Sequence, residues 1–152
     1  MTVPILRLRP AGMADAARLL AWRNDPVTRA MSADTAEVDL AAHMTWLERS
    51  LARTDRLLFV GEATRTDEPV GTLRLDQIGP GVWEVSIAVA PELRGLGWSG
   101  KLLGAGVTHM AGVALTSRVR ADNDRSLRLF EEAGFARVGE VDGFVFFRRE
   151  AP

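Results

Sequence analysis

One stretch near the middle of the chain limits its fold more than any other. Residues 82–89, VWEVSIAV, are apolar and β-branched, and they predict a strand. Pro91 follows, then a basic turn with three glycines at residues 94–101, and then the apolar periodicity of a helix. A helix that begins directly after such a turn leaves several backbone amides without acceptors. A corner of this kind attracts anions, phosphates above all.

The turn itself allows two interpretations. Gly95, Gly97 and Gly100 let the backbone approach a ligand closely, and Arg94 adds a guanidinium that binds phosphate through two donors. The spacing matches neither a Walker loop nor a GxGxxG dinucleotide fingerprint. Taken alone, the turn is also consistent with a strand-to-helix connection that binds nothing.

The composition limits the class of protein. A chain of 152 residues, 47% hydrophobic and 26% charged, is typical of one soluble domain, here residues 1–152. The net charge of −1 argues against nucleic acid as a partner. The chain has no cysteine and two widely separated histidines, which argues against disulfide, thiolate and metal chemistry. No apolar run has the length of a membrane span and no signal peptide is recognised, so we expect a cytoplasmic protein.

The remaining patterns predict strands and helices that interleave. Strands are expected at residues 5–9, 56–62, 70–75, 82–89, 115–121, 135–141 and 144–149, and helices at 12–24, 37–53, 97–111 and 123–133. The order β α α β β β α β α β β indicates an α/β (α+β) fold with a mixed, mostly antiparallel sheet and helices on both faces.

The second helix is predicted from the spacing of its apolar residues. Its apolar residues on one face are Leu40, Met44, Leu47 and Leu51. His43, on its polar flank, and His109 are interpreted as surface histidines.

A second motif lies downstream of the glycine turn. Residues 123–135, NDRSLRLFEEAGF, resemble N-x-x-[AS]-x-x-[LF]-[YF]-x-x-x-G-F, and residues 89–102 resemble V-x-P-x-x-R-G-x-G-x-[GA]-x-x-L. Together they resemble the motifs of the GNAT superfamily of acetyl-CoA-dependent N-acetyltransferases, whose element order is also similar. Further features look like the branch with ribosomal-protein N-terminal and nucleotide-aminosugar acetyltransferases: Trp22, Arg23, Asn24, His43 and Trp46.

The resemblance implies acetyl-CoA as cosubstrate and a primary amine as acceptor. Strand 82–89 is then expected to separate from its neighbour, so that backbone groups of Ile87 and Val89 bind the pantetheine arm. The pyrophosphate would lie on the turn formed by Arg94, Gly95, Leu96, Gly97, Trp98, Ser99, Gly100 and Lys101. The positions that line the cofactor thiol and arm are matched by Asn123, Ser126 and Phe130.

The chain departs from the family pattern at two positions. Ser99 stands where Gly or Ala is usual, and Phe130 stands where many members carry a tyrosine proposed to protonate the leaving thiolate. Because the chain has no tyrosine, that proton would come from water, from Ser126 or from another group. The substitution also motivates an alternative function, a CoA-binding sensor or partner module without catalysis.

Glu84 is the candidate general base. An amine acceptor must lose a proton before it attacks a thioester. Glu84 shares a strand face with Ser86, while the intervening apolar residues point the other way. A carboxylate within an apolar strand is costly to bury unless it is paired or functional; an exposed charge on the sheet is the alternative.

The acceptor is not defined by the sequence. Arg23 and Asn24 end the first helix on the expected acceptor side, where they are candidates for binding a carboxylate or hydroxyl; a helix C-terminal cap is the alternative. Specificity is expected from loop 27–36, the end of the first helix and the Asp142-Gly143 hairpin. The apolar strand 144–149 is expected to extend a sheet across a possible homodimer.

Overall fold

The computed structural model describes residues 5–152, in which seven strands form one sheet covered by helices on both faces. The strands are β1 (Leu6–Pro10), β2 (Arg56–Ala63), β3 (Pro69–Gly79), β4 (Val82–Val89), β5 (Ala114–Arg120), β6 (Ala136–Val141) and β7 (Phe144–Arg149). The α-helices are α1 (Ala16–Asn24), α2 (Pro26–Ala30), α3 (Leu40–Ala52), α4 (Trp98–His109) and α5 (Asp124–Glu132). The predicted fold class is confirmed.

The strand order is β1-β2-β3-β4-β5-β7-β6, and only the β4–β5 pair is parallel. Strand β7 pairs with β5 on one side and with β6 on the other. A strand with two neighbours has no free edge, so the expectation that residues 144–149 extend the sheet across a dimer is wrong. The homodimer itself stays a prediction.

The sheet has two apolar faces with different partners. On the face that we call the back, β-strand residues pack against α4 and α5, and this larger cluster includes Phe59, Leu73, Leu102, Leu115 and Phe147. On the opposite, front face, Leu58 and Val60 of β2 pack against α1 and α3 through Leu19, Trp22 and Leu47. Alternation along β2 separates the two sets, as the period of a strand requires.

Helix α4 lies close to the sheet because glycines remove side chains from the contact. A Cβ on Gly61 would lie 2.7 Å from Leu102 Cδ1, and a Cβ on Gly106 would overlap Leu73 Cδ1. Both leucines are fully buried, so neither side chain has free space into which it can move.

The buried side of α3 differs from the prediction. Leu47 is fully buried, but Leu40, Met44 and Leu51 are exposed, and the helix buries His43 and Ser50 instead. Ser50 Oγ accepts a hydrogen bond from Arg56 Nη1 at 2.9 Å. The interpretation of His43 as a surface histidine is therefore wrong, whereas His109 is exposed as expected.

We expect opposite stability effects from alanine at two glycines of α4. Gly106→Ala should destabilise the fold by about 1–3 kcal/mol, because the new methyl overpacks against Leu73. Gly104→Ala is the matched control, since nothing lies within 4 Å of its added Cβ, and it should stabilise the helix by about 0.5–1 kcal/mol. Urea denaturation measures both values. Equal effects of the two variants would contradict the close packing of α4.

The burial of His43 predicts a loss of stability in mild acid. Burial lowers the pKa of His43 below its usual 6.5, although a hydrogen bond with the Ala16 backbone opposes this shift. The unfolded chain then takes up a proton that the native state resists. The free energy of unfolding should be fully present above pH 6.5 and should fall as the pH drops below that value. His43→Gln should flatten this slope and His109→Gln should not, as measured by denaturation at pH 5.5–8.

Candidate active site

Strands β4 and β5 part after a short parallel contact. They pair only at Val82–Ala114, Trp83–Leu115 and Glu84–Thr116. Beyond this point β4 remains paired with β3 as far as Val89, and β5 remains paired with β7 as far as Arg120. The expected separation of strand 82–89 from its neighbour is present, and it opens a gap between the two halves of the sheet.

Backbone groups of β4 face this gap. Successive residues of a strand direct their N–H and C=O groups to opposite edges. Ala90 N donates to Val70 O of β3 at 2.8 Å, while Gly81 O accepts from Ala114 N on the β5 side at 2.9 Å. The odd-numbered residues of β4 therefore face β5. Ile87 and Val89 lie past the last β4–β5 pair, so their backbone groups point into the gap.

The glycine turn lies at the end of the gap. Gly95 has φ of +79° and Gly97 has φ of +85°, a left-handed conformation that favours glycine, and Gly97 is the N-cap of α4. Within the described chain, the amides of residues 95–100 donate no hydrogen bond. Lys101 Nζ lies 5.6 Å from the centre of the Trp98 ring, beside these amides. The turn thus presents free donors and a cation.

Arg94 contacts helix α2. Its Nη2 donates to Asp25 Oδ2 and to Thr28 Oγ1, both at 2.6 Å. The Arg94 guanidinium is the main cause of a lowered pKa of the Asp25 carboxyl. Asp25 also caps α2 by accepting from Thr28 N. The side chain of Arg94 therefore joins the turn to α2, and its role in phosphate binding stays a prediction.

Glu84 lies on the front face, at the point where the strands part. It is half-buried and pairs in register with Asp76 of β3 and Thr116 of β5. Within residues 5–152 its carboxylate makes no hydrogen bond and no ion pair. The neighbouring Thr116 Oγ1 is buried and has no partner in the same part of the chain. Glu84 is thus available to accept a proton from a molecule bound at the front face.

A charged cluster that the sequence reading missed lies next to Glu84. Arg56 Nε donates to Asp76 Oδ1 at 2.6 Å. Arg74 Nε lies 3.0 Å from Asp76 Oδ2, an ion-pair distance, but it lacks hydrogen-bond alignment. Burial lowers the pKa of Arg74. Strand β3 was predicted to end at Leu75 and therefore to exclude Asp76. Arg74 and Asp76 alternate with Leu73 and Leu75, and this alternation was the signal that the two charged side chains share a face.

The second motif begins just after β5, at the end where the gap is open. Asn123 caps α5 by accepting from Ser126 N at 3.3 Å. Phe130 is 3% exposed, and its ring packs against Phe135 and Phe147 at 5.1 and 5.7 Å. The assignments of Asn123, Ser126 and Phe130 to the cofactor stay predictions.

Arg23 and Asn24 hold a loop beside the front face. Asn24 exchanges two hydrogen bonds with the Val38 backbone at 2.7 and 2.8 Å, and Arg23 Nη2 donates to Asp34 O at 2.7 Å. Arg120 of β5 donates to Ser32 O of the same loop. These contacts connect the end of α1 to residues 32–38, and contact with an acceptor stays a prediction.

A groove of about 750 Å³ lies along α3. Its lining residues are Asp39, Ala41, Ala42, Thr45, Trp46, Arg49, Ser50, Arg53 and Arg56. Arg56 also bonds to Asp76 on the front face, but no residue of turn 94–101 lines the groove. The groove therefore adjoins the front face and not the free amides.

The described part of the chain contains neither a group of metal ligands nor a membrane-spanning helix. Within residues 5–152, no three His, Cys, Asp or Glu side chains are grouped closely enough to hold a metal ion. In that same part of the protein, no helix combines the length and the apolar character needed to cross a bilayer.

Sequence comparison defines the family. A model of the acetyltransferase (GNAT) family matches residues 17–135, which is most of the chain. The chain therefore belongs to the GNAT acetyltransferase family. An uncharacterized protein of Mycobacterium leprae (strain TN) is 37% identical over 70 residues, a match that spans 45% of this chain and 20% of that protein.

The fold is similar to those of solved acetyltransferases. Spermidine N-acetyltransferase from Vibrio cholerae, in complex with CoA and spermine, has a TM-score of 0.85 at 17% identity, covering 96% of this chain and 95% of that one. Aminoglycoside acetyltransferase AAC(6′)-Ib with coenzyme A has a TM-score of 0.80 at 22% identity, covering 95% and 94%. A candidate phosphinothricin N-acetyltransferase has a TM-score of 0.79 at 26% identity, covering 97% and 99%.

A side chain at Gly97 should weaken CoA binding. An alanine in the left-handed conformation costs about 1–2 kcal/mol, and the turn relieves that strain by moving its amides. We expect Gly97→Ala to raise the dissociation constant of CoA by about 5–30-fold. Gly12→Ala is the control, because Gly12 has φ of −135° and open space around it. Titration calorimetry measures both; equal affinities would show that the turn does not hold CoA.

Proposed function

We propose that this protein transfers an acetyl group from acetyl-CoA to a primary amine by direct attack of the amine on the thioester. The observation that carries this proposal is the position of Glu84. Its unpaired carboxylate lies where β4 and β5 part, between the open backbone edge of β4 and the front face. A donor in the gap and an acceptor on the front face would meet beside it.

The donor side rests on backbone groups. The gap-facing N–H and C=O groups of Ile87 and Val89 are suited to the amides of a pantetheine arm, because they are free strand-edge groups. The free amides at the start of α4, together with Lys101, are suited to a diphosphate. The Val89 amide would also bind the thioester oxygen and stabilise the negative charge that develops on it.

The acceptor side requires a base. A primary ammonium has a pKa of about 10.4, so at neutral pH almost none of the acceptor is the reactive free amine. Glu84, directly or through water, would accept the ammonium proton before the amine attacks. General bases of this kind contribute about 10²–10⁴-fold to the rate. The thiolate then takes its proton from water or from Ser126, since Phe130 has none to give.

The closer assignment of the branch rests on sequence features. Those features suggest an aminosugar or a peptide N-terminus as acceptor, whereas the solved neighbours include enzymes named for spermidine and aminoglycosides. Trp22 and His43 are core residues in this fold, and Arg23 and Asn24 bind the neighbouring loop. Primary amine is therefore the level at which we propose the acceptor.

The buried Phe130 favours a second candidate, a CoA-binding module without catalysis. Acetyl-CoA consumption with a panel of amines, peptides and aminosugar nucleotides separates the two functions. Tight CoA binding without turnover on any acceptor would support the module and contradict the transferase.

Replacing Glu84 should slow transfer without weakening CoA binding. Glu84→Gln keeps the size of the side chain but cannot accept the proton, so kcat should fall by about 10²–10⁴-fold near pH 7. The remaining rate should rise with pH as more of the acceptor becomes free amine. Glu68→Gln, at an exposed turn position, is the control and should keep wild-type kcat. An unchanged rate in Glu84→Gln would exclude Glu84 as the base.

A further inference from the structure

The front face around Glu84 carries an excess of arginines. Cross-strand register places Arg74 opposite Ser86, and it places Arg118 and Arg148 of neighbouring strands on the same face as Thr116. Arg56 and Arg120 complete a group of five arginines. The carboxylates beside them include Asp76, Glu84 and Glu150, and Asp55 lies next to Arg56. The chain as a whole carries a net charge of −1, so this positive surface is local.

The arginines are unequally paired. Arg148 pairs with Glu150 at 2.5 Å, and Arg56 pairs with Asp76 at 2.6 Å. Arg118 has no carboxylate partner among the described residues; its guanidinium lies 5.2 Å from the centre of the Phe144 ring. Arg120 stacks on the same ring and bonds only to a backbone carbonyl.

Arg74 is only partly compensated. It shares Asp76 with Arg56, and its buried Nε has no hydrogen bond within residues 5–152. Burial lowers its pKa, although the carboxylates of Asp76 and Glu84 oppose this shift. The Arg74 side chain is 34% exposed and shares one carboxylate with Arg56, so further negative charge would stabilise it. An anionic group of a ligand on the front face would supply that charge.

We propose that the amine acceptor also carries an anionic group, a carboxylate or a phosphate, and that Arg74 and Arg118 bind this group. The proposal rests on the proposed acetyl transfer and specifies its substrate class. Arg74 is a diagonal neighbour of Glu84 across β3 and β4, a spacing of roughly 7–8 Å between Cα atoms. Arg118 lies on the other side of Glu84, on β5. An amine at Glu84 then places an anion several ångströms away within reach of either arginine.

The same charges disfavour polycationic acceptors. Each additional ammonium group would meet arginines on β3, β5 and β7, and like charges in an acceptor site reduce affinity. The acceptor therefore differs in charge from spermidine, for which one structural neighbour is named.

Paired acceptors test the proposal. The wild-type protein should be assayed with butylamine, 4-aminobutyrate, 3-aminopropylphosphonate and spermidine at constant ionic strength. We expect kcat/KM to be about tenfold or more higher for the two acidic amines than for butylamine, with spermidine the poorest. The ratio of the two acidic amines distinguishes a carboxylate from a phosphate site. A preference for spermidine or butylamine would overturn the proposal while leaving acetyl transfer intact.

Variants connect the preference to the arginines. Arg74→Gln and Arg118→Gln should each raise KM for the acidic amines by about tenfold more than KM for butylamine. Arg65→Gln, in the exposed turn between β2 and β3, removes an arginine far from Glu84 and should leave the ratio unchanged. Arg118 is exposed, so its replacement tests the proposal even if Arg74→Gln fails to fold. Equal losses for acidic and neutral amines would contradict an anion site.

A binding measurement separates this proposal from acetyl transfer. If no amine is acetylated, the proposed function fails. Calorimetry still measures whether 3-aminopropylphosphonate binds to the proposed anion site in the presence of CoA. Binding that disappears in Arg74→Gln or Arg118→Gln supports the anion site. Absence of binding, or binding that both variants keep, overturns it.

Discussion

The early end of the β4–β5 pairing is the constraint on which the rest of the structure depends. Strand β4 stays with β3 because Gly71 allows the Ala88 backbone to approach, where any Cβ on Gly71 would overlap the Ala88 oxygen. Strand β5 stays with β7 over six residue pairs. The two halves of the sheet therefore diverge after Glu84 and leave strand edges that need partners. In the proposed complex, the amides of the pantetheine arm would be those partners.

Side-chain contacts connect the amide turn, helix α2 and the loop that follows α2. The Arg94 side chain joins the amide turn to the N-terminus of α2, and Arg120 joins β5 to the loop that follows α2. The same loop is held from α1 by Arg23 and Asn24. A shift of the turn on binding an anion would therefore pull on α2, since the Arg94–Asp25 contact lies between them. In this conformation Arg94 is bonded to Asp25 and Thr28, so the free amides and Lys101 would be the groups that bind the diphosphate in the proposed complex.

Local sequence patterns were sufficient to predict the helices and strands. The predictions failed where tertiary contacts determine which side chains are buried or paired. The strand at 82–89 and the helix predicted at 123–133 follow from apolar patterns that are properties of adjacent residues. The buried face of α3 was not predictable from its leucines, because contact with α1 buries His43 and leaves Leu40 exposed. The cluster of Arg56, Arg74 and Asp76 was missed because β3 was predicted to end at Leu75 and because Arg56 comes from a separate strand. Helical spacing and strand alternation do not report such pairings.

The absence of a tyrosine at position 130 should have little effect on the rate of the proposed reaction. A thiol has a pKa of about 8.5, so a thiolate leaves readily near neutral pH and water can protonate it. A primary ammonium, with a pKa of about 10.4, requires more help to lose its proton. The chain retains the Glu84 carboxylate, where the proposed reaction would remove that proton, and it uses position 130 for core packing against Phe135 and Phe147. The proposed reaction is therefore compatible with Phe130, and it would depend on Glu84 and on the arginines that we propose to bind the acceptor.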